Sequence, residues 1–407
     1  MTHTPISGGI CAPQGFLAAG IHCGIRKNKS KRDLALIVSE RPAATAAVYT
    51  RNKVQGAPIA VTRRHLADGF SRAVLCNSGN ANTCNADGEY IAQTCCALTA
   101  QALGVQPEEI VIASTGVIGQ PLPLEPFENG IPAAVAALSR DGGADAAEAV
   151  MTTDTRPKSH ALSFDVDGVN CRIGIITKGS GMINPNMATM LTFITTDIAI
   201  SPELLQCALS ETVNNTLNQI NIDGDTSTND MAVIQANGMA GNPEIRDGNS
   251  PAYAAFCAAL HAACVWASRE IAADGEGATK LLECTVRSAR SPEVARAVAK
   301  SIISSDLLKA AMFGEDANWG RVLCAIGYTE GDFAADKVSL VLASEHGSVK
   351  VCEQSAYHPF SEDEAAKILS AKEIAINVEM HDGEACAQAW GCDLSYDYVK
   401  INGDYRS

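Results

Sequence analysis

ALSFDVDGVNCRIGIITK, residues 161–178, reads as two arms of alternating apolar residues joined at Asp167-Gly168. Asp-Gly between such arms signals a two-residue hairpin, because both turn positions need the positive φ that Asp and Gly tolerate. VSLVLASEHGSVKVC, residues 338–352, repeats the pattern, with a turn expected near His346-Gly347. Between and beyond these hairpins lie helical spacings at 202–217, 251–273 and 293–312, the first two opening on Pro202 and Pro251, residues suited to a first helical turn. The Ala- and Gly-rich run 132–148 reads as a helix break rather than a domain boundary. Hairpins mixed with long helices predict an α/β fold, a layered sandwich with substantially antiparallel sheets rather than a doubly wound one.

Composition narrows the function classes. A chain of 407 residues, 46% hydrophobic and 19% charged, is long enough to bury a sizeable core. Its net charge of -15 and its lack of a basic stripe argue against a nucleic-acid surface. No apolar run is read as reaching the roughly 20 residues of a membrane span, and MTHTPISGGICAPQGF lacks the order of a signal peptide, so a cytoplasmic protein is expected. Fifteen scattered cysteines without a CxxC pair fit neither a disulfide framework nor a zinc site; Cys95 and Cys96 read as small core residues. The dispersed histidines, and the acids of NIDGDTSTND (221–230), which lack the spacing and terminal Glu of a calcium loop, give no metal site. There is no GxSxG elbow and no Walker loop, and no cofactor is expected.

The hairpin runs directly into KGSGMINPNMATMLTFITTD, residues 178–197. Small, polar and turn-forming residues stand there before an apolar, β-branched run. If the bond before Thr189 is cut, the freed α-amine, with an ordinary pKa of roughly 7.7 to 8, can accept the proton of the threonine's own hydroxyl. Gly179 and Gly181 permit close backbone approach, Pro185 holds Asn184 extended, and small Ala188 leaves its carbonyl open to attack. The alternative from local residues is a Gly-Pro loop entering an ordinary core strand, and the motif alone does not exclude it.

Further segments tilt the balance. KGSGMINPNMATML, together with NSGNANTCNADG (77–88), STGVIGQPLP (114–123), MTTDT (151–155), NIDGDTSTND, DGEGATK (274–280), FGEDANWGR (313–321) and INGDYRS (401–407), resembles the ornithine acetyltransferase family of arginine biosynthesis in order and in content. The resemblance implies a self-cleaving fold similar to that of the DmpA-like enzymes. It also implies a cut between Ala188 and Thr189, giving an α chain of residues 1–188 and a β chain of 189–407 that pair into an α2β2 heterotetramer. The implied reaction moves acetyl from N-acetylornithine to glutamate through an acetyl ester on Thr189, and bifunctional members also take acetyl-CoA.

Matched position by position, the resemblance gives Thr115 and Gly116 as the oxyanion hole. On their own residues they read as a strand-ending turn. Thr152, Lys178, Thr189, Glu276, Asn402 and Ser407 match substrate contacts, with the choice between Thr152 and Thr153 left open. Lys178 suits a substrate carboxylate and Glu276 the ammonium of ornithine; read locally, they are a hairpin-end lysine and a loop acid. Asn77, Asn80, Asn82 and Asn85 are given structural roles. An amide hydrolase or aminopeptidase of similar self-processing fold, and a non-catalytic binding protein, stand as alternatives.

Overall fold

The computed structural model describes residues 3–184 and 190–404. Among them the strands in chain order are β1 (His3–Pro5), β2 (Phe16–Ile21), β3 (Leu34–Tyr49), β4 (Phe70–Asn80), β5 (Ile110–Val117), β6 (Lys158–Val166), β7 (Val169–Lys178) and β8 (Leu191–Thr196). The remainder are β9 (Ile220–Asn221), β10 (Met231–Ala236), β11 (Leu281–Ala289), β12 (Ser339–Ser344), β13 (Gly347–Glu353), β14 (Ala356–Tyr357), β15 (Glu373–Glu379) and β16 (Ala385–Cys392). The chain divides into two compact units: Met1–Gly179 with Asn186–Asn214 and Thr226–Ala267, and Ser180–Pro185 with Asn215–Asp225 and Ser268–Ser407.

The first unit holds a nine-stranded mixed sheet in the order β1-β6-β7-β8-β10-β3-β4-β5, with β2 also paired to β3. Its β6–β7 hairpin turns at Asp167 and Gly168, whose φ values of +51° and +81° are those the dipeptide predicted. Strand alternation puts the two faces of β3 into different cores. Leu34, Leu36 and Val38 join Cys95, Cys96 and Phe127 on one side, and Ala35 and Ile37 join Ile176, Phe193 and Val233 on the other. Parallel pairing is confined to β8–β10 and β4–β5 in this sheet. The second unit has a seven-stranded sheet, β14-β13-β12-β15-β11-β16-β9, packed against helices through Leu282, Cys284 and Val286 of β11 and Val298 and Ile302 of a helix. The α/β reading with largely antiparallel sheets holds in both.

Three local expectations are corrected. In the second hairpin Ser344 pairs with Gly347, so the turn is Glu345-His346, one residue earlier than expected. The helix expected over 293–312 is two helices, Pro292–Ser304 and Asp306–Phe313. Ser305 is extended at ψ 109°, and its hydroxyl accepts from Leu308 N at 3.3 Å; a serine able to cap a new helix stops the old one. Finally, helix Pro251–Ala273 is long and apolar enough to cross a membrane by length and composition. Here it lines protein cores: Phe256, Leu260, Cys264 and Ile271 are fully buried, and Arg269 pairs with Glu283 and Glu373. The break read within 132–148 is found, between helices Glu125–Ala136 and Gly143–Ala149.

Candidate active site

In the first unit, Thr115 and Gly116 end β5 beside β4. The register carries Gly79 opposite Gly116 and then slips, so that Asn80 faces both Thr115 and Val117. Both glycines have positive φ, +100° and +128°, and a Cβ on Gly116 would lie 2.5 Å from the carbonyl carbon of Gly79. Only glycine fits such a bulge, which turns peptide groups at the strand end out of the ladder. Asn229 braces it: its side-chain amide donates to Ala81 O at 2.5 Å and Ser114 O at 3.0 Å, while Thr83 and Thr228 donate to its oxygen, each at 2.6 Å. The asparagines of 77–88 are structural in the same way. Asn77 donates to Asn80 O, Asn80 to Gln120 O and Pro121 O, and Asn82 to Gly88 O.

Lys178 ends β7, half-buried, opposite Leu191 of β8. Its charge bears on Asp154, Asp230 and Cys76. Asp154 is the organiser that the sequence reading missed. It pairs with Lys158 at 2.6 Å, both side chains fully buried, and accepts from the backbone of Thr152 at 2.9 Å and of Gly179 at 2.8 Å. Burial alone would raise its pKa, but the Lys158 and Lys178 charges hold it below the ordinary value. One carboxylate thus ties the Thr152 loop to the residue after Lys178.

In the second unit, Glu276 and Asn402 are brought together: Asn402 Nδ2 donates to Glu276 Oε2 at 2.8 Å. Glu276 N donates to Ser180 O at 2.9 Å, and a Cβ on Gly181 would lie 2.4 Å from the Glu276 carboxyl carbon. Asp393 fixes the loop from below, accepting from the amides of Thr279 and Lys280. Ser180–Asn184 is clamped throughout. Ser180 donates to Asp274 O at 2.7 Å, Met182 N and Ile183 N donate to the Asp223 carboxylate at 2.6 and 2.8 Å, and Asn184 donates to Gly224 O. Met182 sits at φ +57°, an uncommon conformation for a long side chain. Asp223 of NIDGDTSTND thus holds backbone amides, and no cluster able to hold a metal occurs among the described residues. Ala188, Thr189 and Ser407 lie outside the described residues.

A model of the ArgJ family matches residues 17–407. The chain belongs to the ArgJ family. It is 50% identical over 404 residues, 99% of each chain, to the arginine biosynthesis bifunctional protein ArgJ of Symbiobacterium thermophilum, and 48% identical over 403 residues, again 99% of each, to that of Caldanaerobacter subterraneus subsp. tengcongensis. The crystal structure of the arginine biosynthesis bifunctional protein from Bacillus halodurans is 45% identical, with a TM-score of 0.50, over 52% of this chain and 98% of that one. Membership makes the chain an acetyltransferase of arginine biosynthesis, as the motif resemblance implied. Of the sequence-predicted residues, Thr115, Gly116, Thr152 and Lys178 fall in the first unit and Glu276 and Asn402 in the second. Asp154, Asn229 and Asp230 were readable only as members of polar motifs; nothing local signals their burial.

Proposed function

We propose that the chain cuts itself between Ala188 and Thr189 and then carries acetyl on Thr189 from N-acetylornithine to glutamate. The observation that carries this reading is the clamped approach: Asp154 holds Gly179, and Asp223, Gly224, Asp274 and Glu276 hold residues of Ser180–Asn184, so the described chain is fixed as far as Asn184 on its way to the proposed cut. The Bacillus halodurans chain supports it in kind, since matching 52% of this chain uses 98% of that one, as one half of a cut precursor would.

In the reaction proposed, the α-amine of Thr189 takes the hydroxyl proton while the oxygen attacks the acetyl carbonyl. The oxyanion faces donors at Thr115 and Gly116, each worth about 3 kcal/mol in the transition state. The C–N bond breaks, the ammonium returns its proton to the leaving amine, and ornithine departs. Glutamate's amine then attacks the ester, and the Thr189 oxygen leaves with the proton. By the family resemblance Lys178 takes a substrate carboxylate and Glu276 the ornithine ammonium, and Thr152, Asn402 and Ser407 are the further substrate contacts. Acetyl-CoA serves as second donor for glutamate. The two chains assemble as an α2β2 heterotetramer in the cytoplasm.

Mixing the purified protein with N-acetylornithine and glutamate should yield N-acetylglutamate and ornithine. Free acetate without N-acetylglutamate would place the chain among amide hydrolases instead.

A further inference from the structure

RKNKSKR, residues 26–32, puts five cations into seven positions of a chain whose net charge is -15, and the proposed reaction uses none of them. The segment is the loop between β2 and β3. Ile21 pairs with Leu34 and Leu34 with Asn77, so the loop leaves the sheet at the end where β4 reaches Gly79 and β5 reaches Gly116. Its root is built into that corner. Asp33, fully buried, accepts from the backbone amides of Cys23, Gly24 and Arg26 at 2.6, 3.3 and 2.9 Å, and its carbonyl accepts from Ser78 N at 2.9 Å. Arg26 Nε donates to Ser78 Oγ at 3.2 Å, and its guanidinium also donates to Met151 O, one residue before Thr152. A Cβ on Gly79 would lie 2.8 Å from Arg26 Cγ, so the loop packs on the bulge that pairs Gly79 with Gly116. Its tip is shaped as well. Lys31 N donates to Asn28 O at 3.2 Å, Ser30 N and Oγ donate to Asn28 Oδ1 at 3.0 and 2.8 Å, and His22 Nδ1 donates to Lys31 O at 2.9 Å. Arg32 is paired with Asp145 and Glu148 of helix Gly143–Ala149. Lys27, Lys29 and Lys31 are exposed and make no ion pair among the described residues.

Three lysines held on one ordered tip without an acid between them repel one another, and an anion relieves that repulsion. We propose that this loop is the phosphate subsite for the acetyl-CoA donor: Lys27, Lys29 and Lys31 grip the phosphates of the CoA nucleotide, while its long pantetheine arm carries the thioester past Arg26 to the β4–β5 bulge. This rests on the reading of acetyl-CoA as second donor given above. The lysines act on binding alone; no bond forms or breaks at them. An ammonium on a flexible stem is a point charge suited to phosphate, and three of them on one short loop match the several phosphate groups of one small molecule. Seven residues are too few for the stripe that a nucleic-acid backbone requires. The donors differ in the feature that the loop would read. N-acetylornithine has no phosphate, so transfer from it makes no use of Lys27, Lys29 or Lys31.

The test compares donors. Lys27→Gln, Lys29→Gln and Lys31→Gln are combined in one variant, and KM is measured for acetyl-CoA, for S-acetylpantetheine, which lacks the phosphates, and for N-acetylornithine, each with glutamate. KM for acetyl-CoA should rise by about tenfold, the sum expected of three exposed charge pairs, while KM for the two phosphate-free donors and kcat with N-acetylornithine stay at the wild-type values. An unmoved KM for acetyl-CoA overturns the proposal, and so does a variant in which all three donors weaken alike, the mark of a loop that is only structural. The wild type supplies a second measurement that needs no substitution: added KCl should raise KM for acetyl-CoA and leave that for S-acetylpantetheine where it is, and an equal response of both donors overturns the proposal. The levels separate cleanly. A wild type that takes acetyl from N-acetylornithine but not from acetyl-CoA ends the second-donor reading and the loop's role with it; a wild type that uses acetyl-CoA, beside a variant whose KM is unmoved, ends the loop's role alone.

Discussion

At the scale of single residues, the buried Asp154–Lys158 pair is a sharp test of stability. Removing one partner of a buried pair leaves an uncompensated charge, so Asp154→Asn should cost about 3–5 kcal/mol in urea unfolding. The sign with pH follows from the depressed carboxyl. Its contribution is fully present above the ordinary value of about 3.9 and is lost as pH falls below that, through the lower folded value. Gly181→Ala acts on substrate instead. Its Cβ would displace the Glu276 carboxylate, so KM for N-acetylornithine should rise by about tenfold, the loss of one ordinary charged contact, with unfolding unchanged; a normal KM would remove Glu276 from the substrate site. Lys178 shows where residue-scale reading from sequence stops. It looked like a hairpin-end lysine, and only the resemblance made it a site residue. The acids on which its charge bears, Asp154 and Asp230, are buried and lie 24 residues before and 52 after it.

At the scale of elements, legibility tracked how local the cause was. Asp167-Gly168 supplies its own positive φ, so the hairpin was readable. The β13–β14 turn, Gln354-Ser355, has φ of +49° and +56° without a glycine; Ser355 Oγ donates to Ala335 O at 2.6 Å and accepts from Val338 N at 3.0 Å, partners that no local pattern announces. Ser305 was passed over because apolar spacing continues through it on both helices. Ser305→Ala should cost about 0.5–2 kcal/mol in thermal or urea unfolding as the cap of Asp306–Phe313 is lost. The β4–β5 bulge belongs to this scale as well. Gly116→Ala would force a Cβ against the Gly79 backbone at a φ that disfavours it, and should cut kcat by about 10²–10³ if the bulge presents oxyanion donors. Retained kcat in a folded variant would show that the donors lie elsewhere.

At the scale of the molecule, the fold class was legible because its evidence repeats: two hairpins with helices between them. The division into units was not. Each unit takes segments from both sides of residue 188, and which segments join which unit is decided by sheet pairing such as β16 with β9, distant in sequence. Neither unit corresponds to one of the chains that cleavage would make, so separated chains should refold poorly alone and recover activity only together. The central claim is that Thr189 carries the acetyl group, and intact mass spectrometry of the protein incubated with N-acetylornithine tests it directly. Wild type should appear as two chains, the one beginning at Thr189 gaining a single acetyl group that glutamate then removes, while Thr189→Ala stays at 42.6 kDa and gains none. A wild-type protein that remains one 42.6 kDa chain, or an acetyl group that forms equally on Thr189→Ala, would contradict the account.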